Sequence, residues 1–307
     1  MQRFILSRIF QGFLTVWVVV SVVFILGRTT GDPVELMLAL EATEQQRVEV
    51  RKSLGLDRPL IVQYGIYMAR LARLDLGESI ISKIPIRPLL ADRLVKSLQL
   101  AGFSMLVTLV FAFPLGVVAA VRRGSRVDMV ARLIAVLGQS LPHFWVGLIL
   151  MEIFAVRLRW LPVGGAESLK SYVLPGFTMG WFITAGIMRL LRSSMLEVLN
   201  SDYVLFAKVK GVPPSGVVWK HALRNALLPV VTFSGMYFAL LIGGAVVIET
   251  VFAWPGIGRL AYLAVVDRDF TVIQGVVVVI ALIVALVNLI VDIVYYWIDP
   301  RIRMTKA

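Results

Sequence analysis

The residues that could do chemistry in this chain are few. His143 and His221 are its only histidines, 78 positions apart, and there is no cysteine. No zinc site follows from two such distant imidazoles. Disulfide scaffolds, iron–sulfur ligation and thiol catalysis are excluded. Neither H-E-x-x-H nor G-x-x-x-x-G-K-[ST] occurs, so the chain carries no zinc-protease helix and no loop to cradle ATP phosphates. Gly256-x-Gly258 is too short for a dinucleotide fingerprint. That leaves polar groups within apolar runs: Glu152, Glu249, Asn288 and Asp292. Each is costly in lipid and is a functional candidate for that reason. All four fall near the ends of their runs, where a side chain can reach the interface. A proton-driven carrier needs carboxylates near mid-membrane, so structural or gating roles fit better than a proton relay.

The elements that position these groups follow from composition. Of 307 residues, 59% are hydrophobic and 16% charged, and the mean hydropathy is +0.85. Soluble domains hold about 25% charged residues. Six apolar runs are long enough to cross a bilayer, which takes about 17–25 residues: 9–27, 97–121, 133–151 (running on to 156), 171–188, 225–248 and 270–291. Each must be helical, because an open strand leaves backbone groups unpaired in lipid. The first run has no small-x-small cleavage pattern before Gly27 and is expected to be a retained anchor.

The net charge of +12 would suit a nucleic-acid binder, but its distribution follows membrane topology. With the N-terminus inside, segments 1–8, 122–132, 189–224 and 299–307 hold 15 Lys and Arg, whereas the short outside segments 157–170 and 253–269 hold 5. The other 11 lie between Arg28 and Lys96, in a long segment that escapes the positive-inside rule. Both termini are therefore expected in the cytoplasm.

Within that long segment Asp32-Pro33 has the form of a helix start. Residues 41–53 are polar and helix-prone, and Gly55 and Pro59 punctuate the chain. Leu60, Tyr64, Tyr67, Leu71 and Leu74 then repeat at helical spacing. Such a helix either lies on the membrane surface or its own bundle, or helps to dock an external partner. Pro114 and Pro142 fall inside the second and third runs, where proline kinks a helix. Gly176-x-x-x-Gly180 permits close helix approach in the fourth.

The most informative stretch, residues 197–232, reads EVLNSDYVLFAKVKGVPPSGVVWKHALRNALLPVVT. Asp202 is expected to cap a short helix ending near Lys210. Gly211 follows as a left-handed terminator, and Pro213-Pro214 stop continuation. Ser215 is expected to cap the helix that enters the fifth run past Pro229. Tyr203, Ala207 and Lys210 share a face by spacing. Ala207 and Gly211 are small enough for close contact with another protein.

This stretch resembles the cytoplasmic coupling motif of permease subunits of binding-protein-dependent ATP-binding-cassette (ABC) importers. D-Y-V-x-x-A-x-x-K-G, then H-x-L-R-N-A-L-x-P-V-V-T, is similar to the dipeptide, oligopeptide and nickel permease branch. The likeness runs along nearly the whole chain. It includes Gly31-Asp32-Pro33, Leu54-Gly55-Leu56-Asp57 with Pro59, and Asp75-Leu76-Gly77 with Ser79. Ser140-Leu141-Pro142 with Phe144-Trp145 and Trp160-Leu161-Pro162 also belong to it, as do VIETVFAWPGIG over 247–258 and Asp299-Pro300-Arg301-Ile302-Arg303. Leu205 and Phe206 depart from the broad importer motif, standing where its first acidic residue and first alanine would be. Its trailing Leu-Pro is absent at the usual distance.

The resemblance implies an all-α integral membrane protein with six transmembrane helices and a type I ABC importer transmembrane domain. Its expected parts are a cytoplasmic 1–8, a first span 9–28 and an extracytoplasmic 29–96 with short helices. The domain proper, 97–296, has spans at about 97–121, 133–156, 171–189, 225–250 and 270–296 and a coupling loop at 197–224; a cytoplasmic 297–307 follows. It implies an inner-membrane location and no catalysis by this chain, with ATP and Mg held by partners. Those partners would be a second homologous permease subunit, two ABC ATPase subunits and an extracytoplasmic solute-binding protein, in contact with lipid and without nucleic acid. Coupling would fall to Glu197, Asp202, Tyr203, Ala207, Lys210, Gly211, His221, Asn225 and Pro229. The loop carrying Trp254, Pro255, Gly256 and Gly258 is either a plain tight turn or a surface facing the binding protein. Peptides, glutathione-like tripeptides, nickel and oligosaccharides are the candidate solutes. The rival classes are a self-sufficient secondary carrier and a membrane-embedded enzyme.

Overall fold

A computed structural model describes residues 2–29, 43–53 and 55–298. The Asp32-Pro33 start, Leu54 and the Asp299–Arg303 motif lie outside them. The described residues form helices only, apart from an isolated bridge between Glu78 and Pro85. In chain order these are α1 (Gln2–Thr29), α2 (Glu44–Ser53), α3 (Leu60–Ala72), α4 (Ile86–Val121), α5 (Arg126–Ser140) and α6 (His143–Leu150). After them come α7 (Val173–Leu199), α8 (Asp202–Val209), α9 (Pro214–Gly216), α10 (Leu223–Gly244), α11 (Val246–Val251), α12 (Ile257–Val266) and α13 (Phe270–Ile298). Five helical stretches are long and apolar enough to cross a membrane, or six if the bent pair α5–α6 counts as one.

That pair goes further than the kink expected at Pro142. The stretch expected to span over 133–156 consists of two helices bent by 103°, a broken span or a re-entrant loop. Proline disfavours helical backbone in the residue before it, and Leu141 is extended (φ −87°, ψ 131°). Pro142 then stands at the N-cap of α6. Beyond α6 the chain widens into a π-helical turn, Met151–Arg157. Pro114, by contrast, sits inside a continuous α4. With 36 residues, α4 is about 54 Å long, against about 30 Å of hydrocarbon. Its first turns carry Arg87, Asp92, Arg93 and Lys96 and extend past the apolar part.

The chain divides into two compact units. One comprises Met1–Ser97 with Pro255–Ala285, the other Leu98–Trp254 with Leu286–Ala307. In the first, Ile86, Leu90, Ile257, Ala264, Val272 and Val276 form the buried core. There α3 packs on the end of α1: Tyr64 and Tyr67 each lie 5.4 Å from the Phe24 ring, and Tyr64 shares a 2.7 Å hydrogen bond with Ser21. The inward stripe is therefore Gln63, Tyr64, Tyr67 and Leu71. Leu60 and Leu74, expected on it, are exposed.

One carboxylate ties this unit together. Asp269 accepts from Ser79 Oγ (2.5 Å), from the Ile80 and Ile81 amides, and from the Val272 amide in the first turn of α13. It is 4% exposed. Four donors converging on a buried carboxylate satisfy a charge that would otherwise be costly there.

In the second unit α7 is the central helix, with fourteen buried residues from Leu174 to Met195, so its apolarity extends well round the helix. The Gly176-x-x-x-Gly180 pattern works as its spacing predicts. A Cβ at Gly180 would lie 2.9 Å from the Ser104 carbonyl oxygen, and one at Gly176 would strike the Phe103 ring. Small residues let α4 approach this closely, and Thr108 donates to the Gly180 carbonyl across the contact.

Candidate functional site

The elbow between α7 and α10 collects most of the residues singled out in the sequence. α7 ends at Leu199 with Asn200 as its C-cap, and exposed Glu197 sits in its last turn. Ser201, not Asp202, occupies the N-cap of α8. The Ser201 hydroxyl donates back to the Val198 carbonyl, and Asp202 becomes the first helical residue, where a negative charge suits the helix dipole.

The other end of α8 follows the sequence expectation. Gly211 has φ +81°. Its amide donates to Lys208, and the Val212 amide to Ala207, which is the paired closure of a Schellman motif. The next helix starts differently: Pro213 is the N-cap and Pro214 the first residue of α9, a position where its missing N–H costs nothing. Ser215 therefore lies inside the first turn instead of capping it. A π-helical turn, Val217–Ala222, joins α9 to α10, and Pro229 lies within α10. Neither π turn has a signature in the sequence.

The elbow's packing reverses one expectation. Ala207 is 7% exposed and Val204 fully buried. Both are turned onto the chain itself, where α8 packs on the π turn containing buried Val217 and Ala222. Ala207 is small so that α8 can lie close to its own neighbour, and its side chain is not a partner-facing point. The side chains left outside are the large ones, Leu205, Phe206 and Val209, with Trp219 and Tyr203 beside them. Leu205 and Phe206 are the two residues that depart from the broad importer motif. Lys210 Nζ stands 4.7 Å over the Phe206 ring, within cation–π range.

Two further contacts fix the elbow. Asn225 Nδ2 donates to the Tyr203 hydroxyl and to the His221 carbonyl, each at 3.0 Å, so three of the expected residues join into one link between α8 and α10. Behind them, Arg192 on α7 grips Asp128 at the start of α5 through two hydrogen bonds of 2.6 and 2.9 Å. Asp128 is 1% exposed and also accepts from the Gly124 amide. Sequence reasoning did not identify this pair. Ser125-x-x-Asp128 was a readable helix start, and the Ser125 side chain does accept from the Asp128 amide. The partner 64 residues away had no signal.

The intramembrane polar residues lie on three elements: Glu152 on the π turn after α6, Glu249 on α11, and Asn288 and Asp292 on α13. Glu152 pairs with Arg157 at 2.9 Å, and both are well exposed. Glu249 is buried on α11, with its carbonyl accepting from the Trp254 amide at 2.7 Å. Asn288 is exposed and Asp292 half-buried on α13. In the loop after α11 the tryptophan is not on the surface: Trp254 is fully buried, 4.6 Å from the Tyr172 ring. Gly256 and Gly258 are buried and Pro255 is half-buried, and the loop continues into α12. Among the described residues no group of His, Cys, Asp and Glu could hold a metal.

Comparison with known proteins gives one answer. A family profile described as binding-protein-dependent transport system inner membrane component matches residues 112–304, and the corresponding N-terminal profile matches residues 1–101. The chain is 41% identical over 304 residues to the glutathione transport system permease protein GsiC of Salmonella typhi, covering 99% of each chain. It is 40% identical, with the same coverage, to that of Escherichia coli strain K12. Among solved structures, a chain of the MetNI methionine ABC transporter in an inward-facing conformation superimposes with a TM-score of 0.58. It is 20% identical and covers 69% of this chain and 96% of that one. An amino acid ABC transporter with histidines gives a TM-score of 0.56 at 11% identity, covering 68% and 94%. At these identities the two structures speak for the fold alone.

Proposed function

This chain belongs to the inner-membrane component family of binding-protein-dependent transport systems, as an ABC importer permease of the peptide branch, and from that premise we propose how it couples and what it carries. Its fold is that of type I ABC importer permeases. It is a multi-pass inner-membrane transport subunit and not an enzyme; ATP hydrolysis is the work of partner ATPases.

The proposal is that α8 seats in an ATPase subunit and passes its motion to the bundle through α7 and α10. The observation that carries it is the division of faces on α8. Val204 and Ala207 anchor the helix to its own chain, while Leu205, Phe206 and Val209 stand exposed beside Trp219. An exposed apolar cluster marks a protein or membrane contact, and on an elbow read as cytoplasmic we take it as a protein contact. Tyr203–Asn225 and Asp128–Arg192 make the elbow stiff enough to transmit a push. Glu197, Asp202, Lys210, Gly211, His221 and Pro229 shape the elbow around that face. Opening alternately to each side is then a population shift biased by ATP and by the loaded binding protein.

In this reading both termini and the elbow are cytoplasmic. A second homologous permease subunit completes the pathway, and an extracytoplasmic binding protein delivers the solute. Short peptides, glutathione among them, are the proposed cargo, in line with the relatives named for glutathione transport.

Reconstitution tests the whole. The chain with its second permease, ATPases and binding protein in proteoliposomes should take up glutathione or a tripeptide only with ATP and the binding protein present. Uptake by this chain alone under an ion gradient would mean a secondary carrier instead. Because the sequence lacks cysteine, topology can be read separately. Ser168→Cys should react with an impermeant thiol reagent in intact cells, and Ser215→Cys should not; the opposite pattern would invert the arrangement.

A further inference from the structure

A groove of about 450 Å³ runs between α5 and α7, both within the second unit. Arg192 grips Asp128 near the start of α5. Near its end, a Cβ at Gly138 would lie 2.6 Å from Ala185. The two helices are therefore antiparallel along the groove. Three arginines line it, Arg132, Arg189 and Arg192, and no acidic side chain does. Arg192 is committed to Asp128. Arg132 stands 3.7 Å from the same carboxylate but is 58% exposed, where an ion pair is weak. Arg189 is exposed and, among the described residues, has no hydrogen-bond or ion-pair partner. Three guanidinium groups against one buried carboxylate leave a surplus of positive charge facing the groove.

That charge is gathered at one end. The arginines lie toward the turn at 122–125, which the topology proposed above puts in the cytoplasm. From Arg132 to Ser140 the groove follows about 12 Å of helix. Beyond the arginines its lining is Ala135, Val136 and Met188 with the uncharged Gln139 and Ser140. Beside it Met129, Leu133 and Leu137 form an exposed apolar face. A charged mouth, an apolar depth and an apolar surround fit an amphiphile with an anionic head. A small hydrophilic solute would leave the apolar depth and flank uncovered. Basic pockets between spans on the cytoplasmic side suit anionic headgroups.

We propose that this groove binds an anionic phospholipid. Its phosphate is held by Arg132 and Arg189, with Arg192 behind them, and one acyl chain lies along Ala135, Val136 and Met188. Which leaflet supplies the lipid rests on the topology of the importer reading; the binding itself does not. Because Arg192 both lines the groove and holds Asp128, the lipid sits against the clamp behind the elbow.

The test uses the full chain in a neutral detergent and measures bound lipid as phosphatidylglycerol is titrated. Phosphatidylcholine with the same acyl chains, glycerol phosphate and glutathione are separate arms. Saturable binding of phosphatidylglycerol is expected. Phosphatidylcholine lacks the net charge and glycerol phosphate lacks the chains, so each should bind at least about tenfold more weakly. Arg132→Gln combined with Arg189→Gln should weaken phosphatidylglycerol binding at least about tenfold. Arg122→Gln combined with Arg123→Gln removes the same charge from the neighbouring turn, outside the groove, and should leave the affinity nearly unchanged. All four side chains are exposed, and melting temperatures without lipid report the fold of both variants independently. Absence of saturable binding to the parent overturns the proposal. So does an equal loss in the two double variants, which would mean diffuse attraction to a basic surface. Glycerol phosphate binding as tightly as the lipid would make this a phosphate site, and glutathione binding that is lost with Arg132 and Arg189 would make it part of a solute path; either result also overturns it. Import by the complete transporter is a separate readout: if it persists while the chain binds no phosphatidylglycerol, this inference falls and the importer assignment stands.

Discussion

At the elbow, α8 is seated by Val204 and Ala207 and leaves Leu205, Phe206 and Val209 outside. At the entry to α13 the arrangement is the reverse: Asp269 is buried and draws a side chain and three backbone amides onto itself. The first region buries small apolar groups and exposes large ones; the second buries its charge and satisfies it. Burial of a fully bonded carboxylate fixes geometry and leaves nothing over for a partner. Exposure of large apolar side chains gains nothing for the isolated chain and becomes favourable only when another surface covers them. The α13 entry is thus a finished joint, and on the proposed reading the elbow is half of one.

Substitutions at the two sites separate these roles. Val204→Asp places an unpaired carboxylate in a fully buried position and should destabilise the elbow by roughly 4 kcal/mol or more. In detergent, proteolysis should then cut between α7 and α10, where the parent resists. At the finished joint, Asp269→Ala strands four donors. It should cost about 3 kcal/mol, read as a lower unfolding midpoint, with Asp269→Asn intermediate. An unchanged midpoint would mean that the joint is not structural. Gly211→Ala forces a side chain into φ +81° and should cost about 1 kcal/mol. Its coupling of ATP hydrolysis to uptake should fall more than its stability does. The smallest effect is expected from Tyr203→Phe, which removes the hydroxyl that Asn225 reaches. A loss of about 0.5–1 kcal/mol should appear as faster amide exchange in α8 with little change elsewhere.

The sequence carried these two regions unequally. Gly211 was readable because Lys-Gly followed by two prolines leaves a helix few ways to end. Six apolar runs were readable from hydropathy, and Gly176 and Gly180 from spacing alone. The face of α8 was not. A small residue serves equally well for packing on one's own chain or on another, and only the position of Val217 and Ala222 shows that Ala207 is turned inward. A kink at Pro142 was readable, but its 103° size was not: the same kink was expected at Pro114, which sits within an unbroken α4, and composition does not tell the two prolines apart. Asp128–Arg192 and Ser79–Asp269 span 64 and 190 positions. Contacts of that range leave no local pattern.

Docking through the exposed face of α8 is the central claim, and Phe206→Asp tests it most directly. Phe206 is 60% exposed, so the change should not disturb the fold of this chain. The measurement is the amount of ATPase subunit that co-purifies with an equal amount of membrane-inserted permease. The account predicts a loss of at least about tenfold, the consequence of desolvating a charge at a contact, with ATP hydrolysis stimulated by the loaded binding protein falling in parallel. A Phe206→Asp permease that retains its ATPase and its stimulated hydrolysis at the parent level would contradict it.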